Sequence, residues 1–266
     1  LLERWPKKDQ NLTDEKIEES FDLMKEIVSI SAATRMKGKL KRRWPLENAL
    51  ICVAKEQKQI LESLSDLLKT QINVEKFEVF ETENQDGLEQ LLELKKLGLP
   101  VIPKIELERK TVGPKAKEGM GKLLQIFSET DPDDIIEQLV DTNSYTFDVN
   151  SNKILLNRED FVIDFDVGSD YQFASRGNLI VILSVKRNQE MMAKGLVKDL
   201  ARRMQTLRKE RGYNPTDILD KASILDLDNE SLELIKTRID EISFLVRVKH
   251  VDFEESCREY KNDDID

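Results

Sequence analysis

The spacing of apolar positions changes repeatedly along the first third of the chain, and each change marks a predicted element. After Thr13, which can cap a helix, apolar residues recur at every third or fourth position and predict a helix that ends near Gly38. Pro45 stops any helix, and the pattern beyond it predicts a strand, an amphipathic helix and a second strand, at 46–53, 60–68 and 74–80. This order predicts a small βαβ unit.

Glycine and proline interrupt the segment 84–115, which we expect to be a linker region with one short helix at 88–97. Helical spacing then returns and predicts helices at 119–127 and 131–140. Between 145 and 184 the period changes to two. Five short alternating runs, separated by Asn, Asp and Gly, predict an antiparallel meander there.

A long helix is predicted from Gln189 to about Arg211, with an apolar stripe on one face and a basic stripe opposite. A shorter helix and a strand follow it, at 230–242 and 244–253. The pattern of helix and then strand around Val248 resembles that around Val74, but the echo is too short to establish a duplication.

The order of these elements predicts the α+β class. We expect an N-terminal helix and a small βαβ unit, followed by a mixed domain with an antiparallel sheet and long packing helices. The predicted parts are 1–83, the linker region 84–115 and a C-terminal α+β domain at 116–266. Because the sequence starts at Leu1 rather than Met, we expect a fragment of something larger.

The chain has a formal net charge of −10 over 266 residues, yet two of its segments are strongly basic. Segment 31–53 holds six cations and one acid, and segment 186–211 holds nine cations and three acids. Segregated charge of this kind points to a polyanion such as a nucleic-acid backbone, whereas a solvated cationic face is the ordinary alternative. Since 35% of all residues are charged, adaptation to heat competes as an explanation for part of the charge.

The candidate nucleic-acid contacts are the cations of the first basic segment and the tryptophan that ends it: Arg35, Lys37, Lys39, Lys41, Arg42, Arg43 and Trp44. A second set lies on the basic stripe of the long helix: Lys194, Lys198, Arg202 and Lys209. Arginines such as Arg42, Arg203 and Arg208 suit planar, bidentate contact with phosphate. The Trp44 ring can either stack on a base or pack in the core.

No catalytic group and no metal site are predicted. The single histidine, His250, falls in a predicted strand and is assigned a structural role. Helix capping explains Asp131 and its neighbours, and a hairpin turn explains the acidic run 164–170. Cys52 and Cys257 fit a reducing cytoplasm and neither a disulfide framework nor a zinc site. No apolar run approaches the ~20 residues that cross a bilayer, so no membrane partner is expected.

Five stretches of the chain match one family pattern in the family's order: Leu2-Glu-Arg-Trp-Pro6 with the helix after it, Arg35-Met-Lys-Gly-Lys-Leu-Lys-Arg-Arg-Trp-Pro-Leu46, Gln71-Ile-Asn-Val-Glu-Lys-Phe77, Lys110-Thr-Val-Gly-Pro-Lys115, and Gly195-Leu-Val-Lys-Asp-Leu-Ala-Arg-Arg-Met-Gln-Thr-Leu-Arg-Lys-Glu-Arg-Gly212. They resemble the C-terminal region of isoleucyl-tRNA synthetases of the archaeal and eukaryotic type, over nearly the whole chain. The chain departs from that pattern at Lys194, Val112 and Trp44, where Glu, Leu and a polar residue are usual. The HIGH and KMSKS active-site signatures are absent from it.

The resemblance implies that the parent protein is an aminoacyl-tRNA ligase, which attaches isoleucine to its tRNA with ATP, and that this chain alone is not catalytic. It implies that 1–83 ends the anticodon-binding domain and that the first basic segment contacts phosphates of the anticodon stem-loop. The implied partners are tRNA, in particular isoleucine tRNA, and the rest of the synthetase. ATP and magnesium are expected in the parent's catalytic domain and no cofactor in this chain.

Two other hypotheses stay open. The chain could be a protein-interaction or dimerisation module that uses the predicted meander and its flanking helices. It could also be a free-standing RNA-binding regulator descended from a synthetase.

Overall fold

The computed structural model describes residues 14–83, 87–150, 152–225 and 227–254. Its helices are α1 Glu15–Lys37, α2 Lys55–Ser63, α3 Ser65–Ile72, α4 Leu88–Lys96, α5 Arg109–Ala116, α6 Met120–Glu129, α7 Pro132–Thr142, α8 Gln189–Glu210, α9 Asn229–Lys236 and α10 Ile239–Val246. Its strands are β1 Leu46–Val53, β2 Val74–Glu81, β3 Val101–Leu107, β4 Ser144–Val149, β5 Asn152–Asn157, β6 Phe161–Val167, β7 Tyr171–Arg176, β8 Leu179–Ser184, β9 Leu219–Leu225 and β10 Val248–Glu254.

The first helix begins at a side-chain cap. The Asp14 carboxylate accepts hydrogen bonds from the backbone N–H groups of Lys16 (3.0 Å) and Ile17 (3.3 Å), which have no partner within the helix. The predicted cap at Thr13, the stretch Leu2–Pro6 and Cys257 lie outside the described residues.

A four-stranded sheet with the order β2–β1–β8–β7 lies at the centre of the fold. β1 pairs with β2 in parallel and with β8 antiparallel. The predicted βαβ unit is confirmed, although two helices, α2 and α3, connect its strands where the spacing predicted one. The chain leaves the first of these helices at Leu64 and starts the second at Ser65.

Both faces of β1 are covered by apolar cores. Ile51 and Val53 pack with α1, α2 and α3 on one face. Leu50 and Cys52 point to the other face, where the middle of the chain forms a second core. Burial on both faces explains why this strand is a nearly unbroken apolar run in the sequence. A third, smaller core lies between α8, α9, α10 and the strands β9 and β10.

The remaining strands form pairs, β3 with β6 and β4 with β5 antiparallel, and β9 with β10 parallel. Helices together with mainly antiparallel strands confirm the predicted α+β class. The predicted meander is wrong in its pairing, because β6 pairs with β3 and β8 pairs with β1 as well as with β7. The run 164–170 contains a turn at Gly168 but no hairpin, since β6 and β7 are not paired with each other. Alternation of apolar and polar residues shows that a segment is extended, but it does not show which strand the segment pairs with.

The region predicted as a linker, 84–115, contains regular structure. The short helix predicted there is confirmed as α4, and β3 and α5 follow it. The sequence pattern does not predict β3, because the strand contains Pro103. Proline lacks an N–H donor and occurs in strands chiefly at edge positions. The central sheet joins strands from the first and the last of the three predicted parts, whose boundaries stay a prediction.

The elements α1–β1–α2–α3–β2 recur in the same order as α8–β9–α9–α10–β10. We call residues 15–81 the first copy and residues 189–254 the second copy. Each copy pairs its two strands in parallel, and the pairing starts with Leu46 opposite Val74 in the first copy and Leu219 opposite Val248 in the second. The last helix of each copy ends at a residue with a left-handed backbone, Asn73 (φ 55°) and Arg247 (φ 54°).

One arginine closes each copy in the same way. Arg35, near the end of α1, donates to the backbone carbonyls of Lys41 (3.2 Å), Trp44 (2.9 Å), Ile72 (2.9 Å) and Asn73 (2.9 Å). Arg208, near the end of α8, donates to the carbonyls of Asn214 (3.2 Å), Asp217 (2.7 Å), Val246 (2.9 Å) and Arg247 (3.3 Å). The carbonyls occupy equivalent positions, and we call this arrangement the arginine clasp. The structure therefore contains an internal repeat, of which the sequence shows only a short echo.

Candidate nucleic-acid interface

A groove between the first copy and α8 brings the two basic segments together. Its volume is about 1480 Å³, and its charged lining consists of three cations from each segment and two acids: Lys41, Arg42, Arg43, Lys198, Arg202, Arg203, Asp199 and Glu210. The end of α3 adds the polar side chains Thr70, Gln71 and Asn73. We call this surface the basic groove. Cations that are far apart in the sequence thus form one positively charged surface.

The arginine clasp fixes the loop 38–45, which carries the first set of cations. Besides the bonds from Arg35 to this loop, the side-chain amide of Asn73 donates to the carbonyl of Arg42 at 3.0 Å. Because the loop is held by its carbonyls, the side chains of Lys41, Arg42 and Arg43 are exposed. A loop that is ordered before binding loses less conformational entropy when a ligand arrives.

Asp199 of α8 joins the loop 38–45 to the second copy. Its carboxylate accepts hydrogen bonds from Lys41 Nζ (2.7 Å) and Trp44 Nε1 (3.0 Å), and Arg43 lies 3.9 Å away. Burial of this carboxyl would raise its pKa, but the hydrogen bonds from Lys41 and Trp44 outweigh burial and hold the pKa below its ordinary value. Asp199 is therefore ionised at neutral pH.

Trp44 packs against α8. A Cβ atom added at Gly195 would lie 2.4 Å from Trp44 Cδ2, so that only glycine allows the ring to lie this close to the helix. The cationic groups of Arg187 and Lys41 lie 5.1 and 5.2 Å from the ring centroid. Of the two interpretations of Trp44, packing describes its position in this structure.

Arg35 corrects one of the sequence-based site predictions. It is only 3% exposed, and its guanidinium donates to the four backbone carbonyls of the clasp. Desolvation by burial, with the charge of Arg42 as the smaller cause, lowers its pKa to about 10, so it stays charged at neutral pH. Its burial and its bonds to these carbonyls give Arg35 a structural role.

The other predicted residues of the first segment lie outside the groove. Lys37 and Lys39 are exposed, and Lys37 Nζ lies 4.4 Å from the centroid of the Phe173 ring in β7. Neither lysine belongs to the lining of the basic groove.

The four residues predicted on the long helix have different surroundings in the structure. Lys198 and Arg202 line the groove, and Lys198 Nζ donates to the side-chain oxygen of Asn73 at 3.3 Å. Lys194 instead pairs with Glu75 (2.5 Å) and Glu190 (3.0 Å), and Lys209 is exposed outside the lining. Arg203 lines the groove although it does not belong to the predicted stripe. In the sequence it stands out only as one of the arginines that suit bidentate contact with phosphate.

The remaining sequence-based expectations concern single residues and other kinds of site. No three His, Cys, Asp or Glu side chains in them are placed to hold a metal ion, and none of their helices has the length and apolarity to cross a membrane. Burial, with Glu93 as the smaller cause, raises the pKa of the Cys52 thiol to about 12. Asp131 caps α7 as predicted, because its carboxylate accepts a hydrogen bond from the N–H of Asp133 at 2.9 Å. His250 lies in β10 opposite Lys221.

No protein-family model matches the chain. Comparison with curated proteins finds isoleucine–tRNA ligases. The chain is 24% identical over 235 residues to the enzyme of Porphyromonas gingivalis, a match that covers 88% of the chain and 19% of the enzyme. It is 27% identical over 262 residues to the enzyme of Methanocella arvoryzae, with 93% of the chain and 21% of the enzyme covered. The corresponding values for the enzyme of Sulfolobus acidocaldarius are 23% over 219 residues, 82% and 20%.

The chain thus spans about a fifth of the length of the curated relatives it matches. It is similar to one region of isoleucine–tRNA ligases. Bacterial and archaeal enzymes match it with comparable identity, so these matches do not favour the archaeal and eukaryotic type.

Proposed function

We propose that this chain is the tRNA-binding portion of an isoleucine–tRNA ligase and that the basic groove holds the phosphates of the tRNA. The observation that carries the proposal is the convergence of two distant basic segments on one groove in a chain with a net charge of −10. A polyanion neutralises such a surface and releases bound counterions when it binds. The similarity to a region of isoleucine–tRNA ligases supports tRNA as the polyanion.

The charges of the groove support this assignment. Asp199 offsets the positive charge of Lys41. In contrast, no acid in the described part of the chain forms an ion pair with Arg42, Arg202 or Arg203. Arginine presents a fixed fork of donors that matches the geometry of a phosphate group. These three arginines are therefore the side chains that we assign to phosphate contact.

The rest of the proposal concerns the parent enzyme and its tRNA. We infer that the anticodon stem-loop of isoleucine tRNA is the bound segment and that ATP and magnesium act in the catalytic part of the parent. The remainder of the synthetase is the proposed protein partner, and the archaeal and eukaryotic type is the proposed parent. A reducing cytoplasm is the proposed compartment, supported by the buried free thiol of Cys52.

A binding titration tests the proposal. Fluorescence anisotropy with isoleucine tRNA and a non-isoleucine tRNA, at several salt concentrations, gives both the affinity and the number of phosphate contacts. The variant Arg42→Glu/Arg43→Glu should weaken binding by more than tenfold. It should also make the log–log salt dependence shallower by about 0.7–0.9 for each lost contact.

The matched control is Arg109→Glu/Lys110→Glu, which makes the same change of charge at an exposed pair outside the groove. It should bind tRNA as the unmodified chain does. Equal losses in both variants would mean that total charge and not the groove attracts the RNA, which would contradict the proposal.

A further inference from the structure

The two copies of the repeat differ in what lies beside their first strand. In the first copy β8 pairs antiparallel with β1 along the edge opposite β2, and α1 packs on β8. In the second copy β9 and β10 form a sheet of two strands within the described ranges. We call the edge of β9 that faces away from β10 the β9 edge. It is equivalent to the edge of β1 that β8 covers.

The backbone of β9 presents hydrogen-bonding groups to this edge. The N–H of Leu219 donates to the carbonyl of Arg247, next to β10, at 3.0 Å. Successive residues of a strand turn their N–H and C=O groups to opposite sides. The groups of Lys221 and Ser223 therefore face β10, and those of Ala222 and Ile224 face the β9 edge.

The first copy shows how such an edge is completed. Ala49 and Ile51 of β1 correspond to Ala222 and Ile224, and the residue types are the same in both copies. Ala49 lies opposite Leu183 of β8, and Ile51 lies opposite Val181. A strand edge of this kind is a template on which a further strand can pair.

One side of the space beside the β9 edge is apolar. Leu23 and Ile27 of α1 are buried in the core that contains the apolar side chains of β8. Counted from the clasp arginines, their equivalents in α8 are Leu196 and Leu200, which are only half-buried. Leu207, further along the same face of α8, is 57% exposed. A strand beside β9 would cover these leucines.

The other side of the same space is polar. Leu50 of β1 points into the second core, whereas its equivalent in β9 is Ser223, beside the exposed Lys221. Arg203, which corresponds to the buried Ile30, is exposed and lines the basic groove. Burying an unpaired cation is costly, so a side chain beside Arg203 has to be polar or acidic. The strand that fits is therefore apolar towards α8 and polar on its opposite face.

We propose that the β9 edge is an interaction surface that binds such an amphipathic segment as an antiparallel strand, and that the segment belongs to the remaining part of the parent synthetase. The chain spans about a fifth of the length of its curated relatives, so most of a parent of that size lies outside the chain. This inference rests on the proposed function, from which the parent is taken. It assigns the contact between the two parts to backbone pairing at Ala222 and Ile224.

Hydrogen exchange tests the inference in this chain alone and in the full-length parent, read at single residues by mass spectrometry with electron-transfer fragmentation. The amides of Ala222 and Ile224 should exchange rapidly in the chain alone and at least about tenfold more slowly in the parent, because a paired amide exchanges only when the strand opens. The amides of Lys221 and Ser223, which face β10, are the internal reference and should be protected in both.

A substitution on α8 tests the apolar side of the contact. Leu207→Asn in the parent should speed exchange of Ala222 and Ile224 by roughly tenfold, because the partner strand loses a leucine to cover. In the chain alone it should leave their exchange unchanged. Leu155→Asn is the matched control, because Leu155 is 55% exposed and lies in β5, and it should have no effect in either protein. Circular dichroism shows whether each variant is folded.

The outcomes separate this inference from the proposed function. Equal exchange of Ala222 and Ile224 in the chain and in the parent would overturn the inference alone, since the tRNA titration does not involve the β9 edge. Protection in the chain alone that disappears on dilution would assign the edge to a second copy, and protection at every concentration would assign it to the chain itself. Either result would contradict the inference. A native protein of only 266 residues, detected by immunoblotting, would overturn both proposals.

Discussion

The guanidinium of Arg35 lies among backbone carbonyls, and four of them accept its hydrogen bonds. Arg208 does the same in the second copy. The planar fork of arginine can reach several carbonyls at once, whereas the ammonium of lysine is a single compact donor group. Two arginines of the basic segments therefore hold the backbone, and their exposed neighbours in the groove are left for a ligand.

Replacing Arg35 with lysine should lower the free energy of unfolding by about 2–4 kcal/mol, because one ammonium leaves buried carbonyls without a partner. Urea unfolding followed by circular dichroism measures this loss. Arg42→Lys is the control, because this exposed side chain forms no part of the clasp and its replacement should cost less than about 0.5 kcal/mol. Equal losses in the two variants would mean that the clasp adds no stability.

Elements with a strong local pattern are predicted well from the sequence. β1 and α8 agree with their predictions to within one residue, because apolar spacing and an end signal lie within the elements themselves. β9 is not predicted from the sequence, since Asp220 and Lys221 near its start break the alternation and its extended form depends on pairing with β10. The pairing of β8 with β1 joins distant segments, and no local pattern encodes it.

The same limit applies to the candidate site. The sequence identifies both basic segments, because charge is visible residue by residue. It cannot show that α8 and the loop 38–45 line one groove, or that Arg35 is buried, because both facts depend on how distant elements pack. The contact between Trp44 and Gly195 has the same origin.

That contact gives a prediction at the scale of packed elements. Gly195→Ala should lower the free energy of unfolding by about 1–3 kcal/mol, the usual cost of overpacking, because its Cβ would overlap the Trp44 ring. Gly121→Ala in α6 is the control: nothing lies within 4 Å of its added Cβ, so stability should stay equal or rise by about 0.4–1 kcal/mol. Thermal and urea unfolding measure both variants. If Gly195→Ala also proved neutral, α8 would not depend on close contact with Trp44.

In the molecule as a whole, positive charge is concentrated on one groove while the net charge is −10. Repulsion between the cations of the two segments opposes their approach, and Asp199 lies where it can offset that repulsion. One carboxylate thus connects the first copy to the second.

This connection should respond to pH. The pKa of Asp199 is lower in the folded chain than its ordinary value, so its contribution to stability is present above the unfolded pKa of about 3.9. The contribution is lost as the pH falls through the folded pKa. The difference in free energy of unfolding between the unmodified chain and Asp199→Asn should therefore be largest near neutral pH and shrink in acid.

Urea unfolding of both proteins across this pH range measures the difference. Asp22→Asn is the control, because Asp22 forms an exposed ion pair with Lys25 on α1, and exposed ion pairs contribute little to stability. A difference for Asp199→Asn that did not change with pH would assign its effect to shape and not to charge.

The arginine clasp has a consequence for how such a unit can diversify. The clasp arginine donates hydrogen bonds to backbone carbonyl oxygens, which every amino acid possesses. The clasp therefore does not restrict which side chains the loop can carry. Lys41-Arg42-Arg43-Trp44 and Asn214-Pro215-Thr216-Asp217 adopt the same turn without sharing a residue, each closed by an N–H to carbonyl bond, at 3.0 and 3.1 Å. The loop needs one residue that accepts a left-handed backbone, Lys39 in one copy and Gly212 in the other. The unit is a framework with an interchangeable loop, onto which a new recognition sequence can be grafted while the scaffold stays the same.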